Sequence, residues 1–175
     1  METVGIGEMA LRVGVALACG AAVGIEREQK RRPVGFRTMI LICVGSCGFA
    51  LLAARVMTGE LSAGASAVQH GSEPPSAGVS RVLQGLLAGI GFLGAAAVLQ
   101  SKLSVVGVTT AAAVWVVAAI GACCGLGELA LALLLAAVTF FTLSVLGRVE
   151  DRCFPGEPMA PNGSGAKGGQ EKGQS

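Results

Sequence analysis

Five apolar stretches, each closed off by a charged, amide or glycine residue, constrain this chain more than any other feature. They cover residues 9–25, 38–54, 82–99, 106–124 and 129–146, and each is 17 to 19 residues long. As helices they would be about 25 to 29 Å long, close to the hydrocarbon thickness of a bilayer. A segment in lipid has to satisfy its own backbone polar groups, which helices do and isolated strands do not. The expected fold is therefore all-α: a polytopic transmembrane helix bundle of about five spanning helices. Composition points the same way, with 53% hydrophobic and 14% charged residues. Six Phe, one Trp and no Tyr are too few for the aromatic girdles of an outer-membrane barrel. A net charge of +2 gives no ground for a nucleic-acid partner.

Arg12 is the one charge inside the first stretch, and Glu8 stands one helical turn before it. The spacing predicts that Arg12 reaches outward and pairs with Glu8. A cleaved signal peptide is disfavoured, because Glu2 and Glu8 precede Arg12 and no Lys or Arg does. Basic residues are retained on the cytoplasmic side. Ten of the thirteen fall on one side, at Arg27, Lys30, Arg31, Arg32, Arg37, Lys102, Arg148, Arg152, Lys167 and Lys172, against Arg12, Arg55 and Arg81 on the other. The expected topology has the amino terminus outside and the carboxyl terminus cytoplasmic. Residues 1–147 form the transmembrane domain. Residues 148–175, rich in Gly, Pro, Gln, Lys and Ser, form a disordered cytoplasmic tail. The segment between Arg55 and Arg81 is the one long external loop, and it is expected to be mobile.

Few residues suggest chemistry. The six cysteines form no CxxC or Cys/His cluster, and His70 is alone in the outer loop. Asn162-Gly163-Ser164 would be cytoplasmic and so no glycosylation site. Gly89-Ile90-Gly91-Phe92-Leu93-Gly94 fits a dinucleotide-binding pattern, but it lies inside one apolar stretch rather than between a strand and a helix. No nucleophile and base, metal cluster or cofactor loop is apparent, so neither an enzyme nor a cofactor is expected.

Helix packing is the better reading of those glycines. Gly85 and Gly89 share one helix face, and Gly91 and Gly94 the opposite one. A helix smooth on two faces suits the middle of a bundle, so the third is expected to be central and the leucine-rich fifth peripheral. Trp115, near the centre of the fourth segment, is expected to be a buried packing residue. Topology gathers Glu26, Arg27, Glu28, Arg37, Thr38, Thr109 and Thr110 on the cytoplasmic side, where Glu26 and Arg37 could pair across the first loop. Thr109 and Thr110 could instead return hydrogen bonds to the backbone, and the basic run could hold anionic lipid head groups.

Four motifs in order now carry a resemblance: Gly24-Ile25-Glu26-Arg27-Glu28, Pro33-Val34-Gly35-Phe36-Arg37-Thr38, the glycine run at 89–94, and Gly107-Val108-Thr109-Thr110-Ala111-Ala112-Ala113-Val114-Trp115. Together they resemble the MgtC/SapB family over about residues 8 to 146. Two departures stand out. The family's Asp-Pro-x-Arg stretch becomes Gly78-Val79-Ser80-Arg81, without the acid, and the small-residue and threonine run after Gly94 becomes Ala95-Ala96-Ala97-Val98. By this resemblance the chain is expected to be a short form, without the soluble domain that follows the last helix in longer members. The resemblance implies a bacterial inner-membrane protein associated with magnesium homeostasis, acting either as a non-transporting regulator of other membrane proteins or as a magnesium transporter or channel. Its implied partners are the lipid bilayer, other membrane proteins or further copies of itself, and Mg2+; no metal-ligating set is legible. Magnesium favours several hard oxygen ligands, whereas the acids Glu8, Glu26, Glu28 and Glu128 lie only at the edges of the spans. That distribution favours the regulator.

Overall fold

The computed structural model describes residues 5–30, 32, 34–57, 76–99 and 107–146. Among them the chain forms five helices and no strand: α1 (Ile6–Gln29), α2 (Phe36–Met57), α3 (Ser76–Leu99), α4 (Val108–Leu126) and α5 (Leu129–Phe141), the last running on into a π-helical turn at Thr142–Leu146. Four of them, Ile6–Gln29, Phe36–Val56, Gly78–Val98 and Val108–Leu126, are long and apolar enough to cross a membrane. The fifth apolar helix, Leu129–Val145, is shorter than these, so the expected bundle of about five helices is present, with four of them of full spanning length. The segment with His70, expected as a mobile outer loop, the segment with Lys102 and the residues from 148 onward, expected as a disordered tail, lie outside the described residues.

Successive helices run antiparallel, and α4 is the hub. It packs against each of the other four, whereas α3 packs against α2 and α4. Side chains of α1, α2 and α4 meet in a core of Ala16, Cys19, Val23, Met39, Cys43, Cys47, Val114, Val117, Ile120 and Cys124, all at most 5% exposed. Small residues let the backbones approach closely. A Cβ on Gly20 would lie 2.9 Å from the Cys43 Cβ and 3.1 Å from the Ile40 Cα, and one on Gly24 would lie 2.9 Å from the Phe36 Cα. On α4, a Cβ on Gly121 would overlap the Cys43 carbonyl oxygen, and one on Gly125 would overlap that of Cys47.

The expectation of a central third helix is therefore wrong. Nothing lies within 4 Å of a Cβ built on Gly85, Gly89 or Gly91, and Gly94 makes only an ordinary contact with Ala111 at 3.7 Å. Smooth faces permit close packing but do not supply a neighbour. The close approaches are made at Gly20 and Gly24 and at Gly121 and Gly125; Gly85 and Gly89 have the same four-residue spacing and meet nothing, so spacing alone does not choose the contact face. Trp115 is likewise not buried but 51% exposed. It shares the outward stripe of α4 with the exposed Val108 and Ala112, because the inward face sits too close to α2 to admit an indole.

The end of the bundle holding the α1 amino terminus bears out the Arg12 pairing and extends it. Arg12 forms an ion pair with Glu8, and its Nη1 also donates to the Gly125 carbonyl at 2.9 Å. That carbonyl belongs to the last turn of α4, which ends on Gly127 in the left-handed region (φ 91°), with its N–H and that of Glu128 returned to Cys124 and Cys123. A guanidinium at the negative end of a helix dipole is favourable. Arg12→Leu is expected to lower stability by about 1 to 2 kcal/mol, seen as a drop in thermal midpoint in detergent; an unchanged midpoint would remove this cap from the account.

Candidate functional site

The opposite end of the bundle gathers the polar residues that sequence placed on one side. Four elements meet there: the last turn of α1, the first turns of α2 and α4, and the π-turn after α5. The bend between α1 and α2 is held by backbone bonds, Lys30 N–H to the Glu26 carbonyl at 3.2 Å and Arg32 N–H to the Arg27 carbonyl at 3.1 Å. Glu28 then caps α2 from the neighbouring helix, its Oε2 accepting the Phe36 N–H at 3.1 Å. A carboxylate is favoured at a helix amino terminus. Gly35 leaves room for that carboxylate, since a Cβ at that position would make the Glu28 side chain shift.

Two subsites result. One is an open cleft of about 600 Å3 lined by Ile25, Glu28, Gln29, Gly35, Phe36, Arg37 and Thr38. Arg37 and Thr38 are exposed on it, as is Glu28. The other is a buried charged layer. Glu26 is 5% and Arg27 2% exposed, which only paired charges ordinarily tolerate. Arg27 Nη2 donates to the Thr110 hydroxyl of α4, joining groups 83 residues apart, while its Nε has no partner. The Lys30 ammonium stands 2.7 Å from Glu26 Oε1 as an ion pair, off hydrogen-bond geometry, so that neither Glu26 oxygen accepts a hydrogen bond. Lys30 Nζ donates instead to the Leu143 carbonyl at 2.5 Å. That carbonyl lies in the π-turn, a kind of irregularity found often at functional sites.

The structure thus brings Glu26, Arg27 and Thr110 together, and Glu28, Arg37 and Thr38 together on the neighbouring cleft. Glu26 pairs with Lys30 and not with Arg37: side chains one turn apart on a single helix meet without any bend in the loop. Thr110 accepts from Arg27, whereas Thr109 is exposed. Sequence reasoning passed over two contributors, Lys30 as the partner of Glu26 and the Leu143 carbonyl. The i,i+4 spacing from Glu26 would have found the first. Arg81, on α3, is exposed and belongs to the other end of the bundle. Among the described residues no group of three or more His, Cys, Asp or Glu side chains is placed to hold a metal ion.

Four apolar spans with a charged layer at each end define a multi-pass membrane protein built on a helix bundle. The MgtC family signature matches residues 13–152, and the chain belongs to the MgtC family. It is 35% identical to Protein SrpB of Synechococcus elongatus over 146 residues, covering 79% of this chain and 72% of that protein. It is 34% identical over 137 residues to a protein of Escherichia coli K12 named "Putative magnesium transporter YhiD", covering 78% and 59%. Protein MgtC of Salmonella typhimurium is 35% identical over 118 residues, covering 67% and 43%. The chain thus spans most of SrpB but only about half the length of YhiD and MgtC. No solved structure matches the chain.

Proposed function

We propose that this protein serves magnesium homeostasis as a non-transporting regulator in a bacterial inner membrane, acting on other membrane proteins through its Glu26–Arg27 end. In this reading that end faces the cytoplasm, as the bias of basic residues implies. The observation that carries the proposal is the packing between the two charged layers. From Arg12 to Arg27 is about 22 Å along α1. The core over that distance is closed by Ala16, Cys19, Val23, Met39, Cys43, Val117 and Ile120, with Ser46 as a buried hydroxyl. Cations that shed water reluctantly need hard oxygen ligands along a path, and this seam offers apolar side chains instead. The polar groups that could recognise something are gathered at the Glu26 end, beside a cleft open to solvent. The name of the YhiD relative favours a second reading, a magnesium transporter, for which the route would have to run between copies or along α3.

The test is growth of a low-magnesium-sensitive strain carrying the protein. Glu26→Gln and Arg37→Gln are each expected to abolish rescue while inserting in the membrane at wild-type levels. Normal rescue by both would reduce this end of the bundle to a topology device.

A further inference from the structure

We propose that Glu26 and the Leu143 carbonyl form a divalent-cation site whose place the Lys30 ammonium takes, so that the cation and Lys30 compete for the same oxygens. The inference rests on the magnesium reading above for the choice of cation, and on the geometry for the site.

Three observations converge. The Lys30 ammonium is held by two hard oxygens, Glu26 Oε1 at 2.7 Å and the Leu143 carbonyl at 2.5 Å, the donor types that divalent cations of this class prefer. The Glu26 carboxylate is 95% buried by its 5% exposure, and while its Oε1 is engaged by the Lys30 ammonium, its Oε2 has no partner and keeps its acceptor capacity. The side chain of Lys30 is 27% exposed, which gives a flexible four-carbon stem a way out to water and the site a way in.

Charge sets the strength of binding. With Lys30 in place, Glu26 faces two cations, Lys30 and Arg27. Exchange of the ammonium for a divalent ion leaves Arg27 beside it, bonded to Thr110, and binding is consequently weak. Oxygens spaced for an ammonium are too far out for the 2.0 to 2.1 Å bonds, roughly, that bare magnesium makes, so the ion keeps part of its water shell. Release of Lys30 would also free the π-turn from α1. A cation concentration thereby becomes a change in how the end of α5 is held.

The experiment titrates MgCl2 into the purified full chain in detergent, at an ionic strength matched with NaCl, and reads the thermal midpoint. Wild type is expected to be stabilised by Mg2+ beyond the NaCl control. Lys30→Met, which keeps the stem and removes the competing charge, is expected to respond at about fivefold lower Mg2+. Glu26→Gln is expected to lose the response. Binding of Mn2+, followed by the loss of the free-ion electron paramagnetic resonance signal, repeats the comparison of wild type and Lys30→Met without relying on Glu26→Gln to fold. A Lys30→Met protein that responds at the same concentration as wild type, or not at all, overturns the site. So does a folded Glu26→Gln protein that responds like wild type. Either result leaves low-magnesium growth to be judged separately, so failure of the site and failure of the magnesium reading are told apart.

Discussion

Gly121→Val is expected to prevent accumulation of a folded protein, and Gly121→Ala to lower its stability by about 1 to 3 kcal/mol. The reason lies in the α2–α4 seam. A Cβ at Gly121 would overlap the Cys43 carbonyl oxygen and lie 2.9 Å from both the Cys43 carbonyl carbon and the Ser46 Cβ. Most of these atoms are backbone, which cannot rotate away as a flexible side chain could, so α2 itself must move. Such a shift opens the core around Cys43, Val117 and Ile120, where close packing supplies the association energy between helices in lipid. Gly89→Leu is the control, since nothing lies within 4 Å of a Cβ at that position. Its thermal midpoint in detergent is expected to stay near wild type, and equal loss in both variants would contradict the hub assigned to α4.

Arg27→Ala is expected to be comparably damaging, at about 3 to 5 kcal/mol. Arg27 is the largest fully buried side chain at its end of the bundle, and its removal leaves a cavity, takes the donor from the Thr110 hydroxyl and strips a neighbouring cation from Glu26. Arg27→Met separates shape from charge. A side chain of similar length refills the space, and replacing a buried charge by an apolar group of similar volume is often neutral. Arg27→Met is therefore expected to fold in detergent at close to the wild-type midpoint and to fail in low-magnesium rescue. Rescue by Arg27→Met would mean that the guanidinium is needed for packing alone.

Much of this was readable before any coordinates. Apolar runs of bilayer length mark the helices because lipid forces backbone bonding within each segment, and Arg12 with Glu8 was legible because an i,i+4 pair needs no tertiary information. The same local rule also contained Glu26 with Lys30. Arg27 with Thr110 was not legible, because it depends on how α1 and α4 are rotated against each other. Rotation likewise decided Trp115 and the glycines of α3. A helical wheel shows which residues share a face, but not which face finds a neighbour. The glycine pairs at 20 and 24 and at 121 and 125 mark the close contacts, yet Gly85 and Gly89 have the same spacing and meet nothing, so the helices offered three equivalent pairs and the packing used two.

The most direct test of the central claim is magnesium flux in sealed vesicles containing only the purified, folded protein, with Glu26→Gln alongside and a magnesium ionophore to show that the vesicles report. The account predicts that flux into wild-type vesicles equals that into empty ones, for a protein that restores growth in low magnesium. Flux above the empty vesicles that vanishes in Glu26→Gln would make the protein a transporter with Glu26 in its path and contradict the regulator.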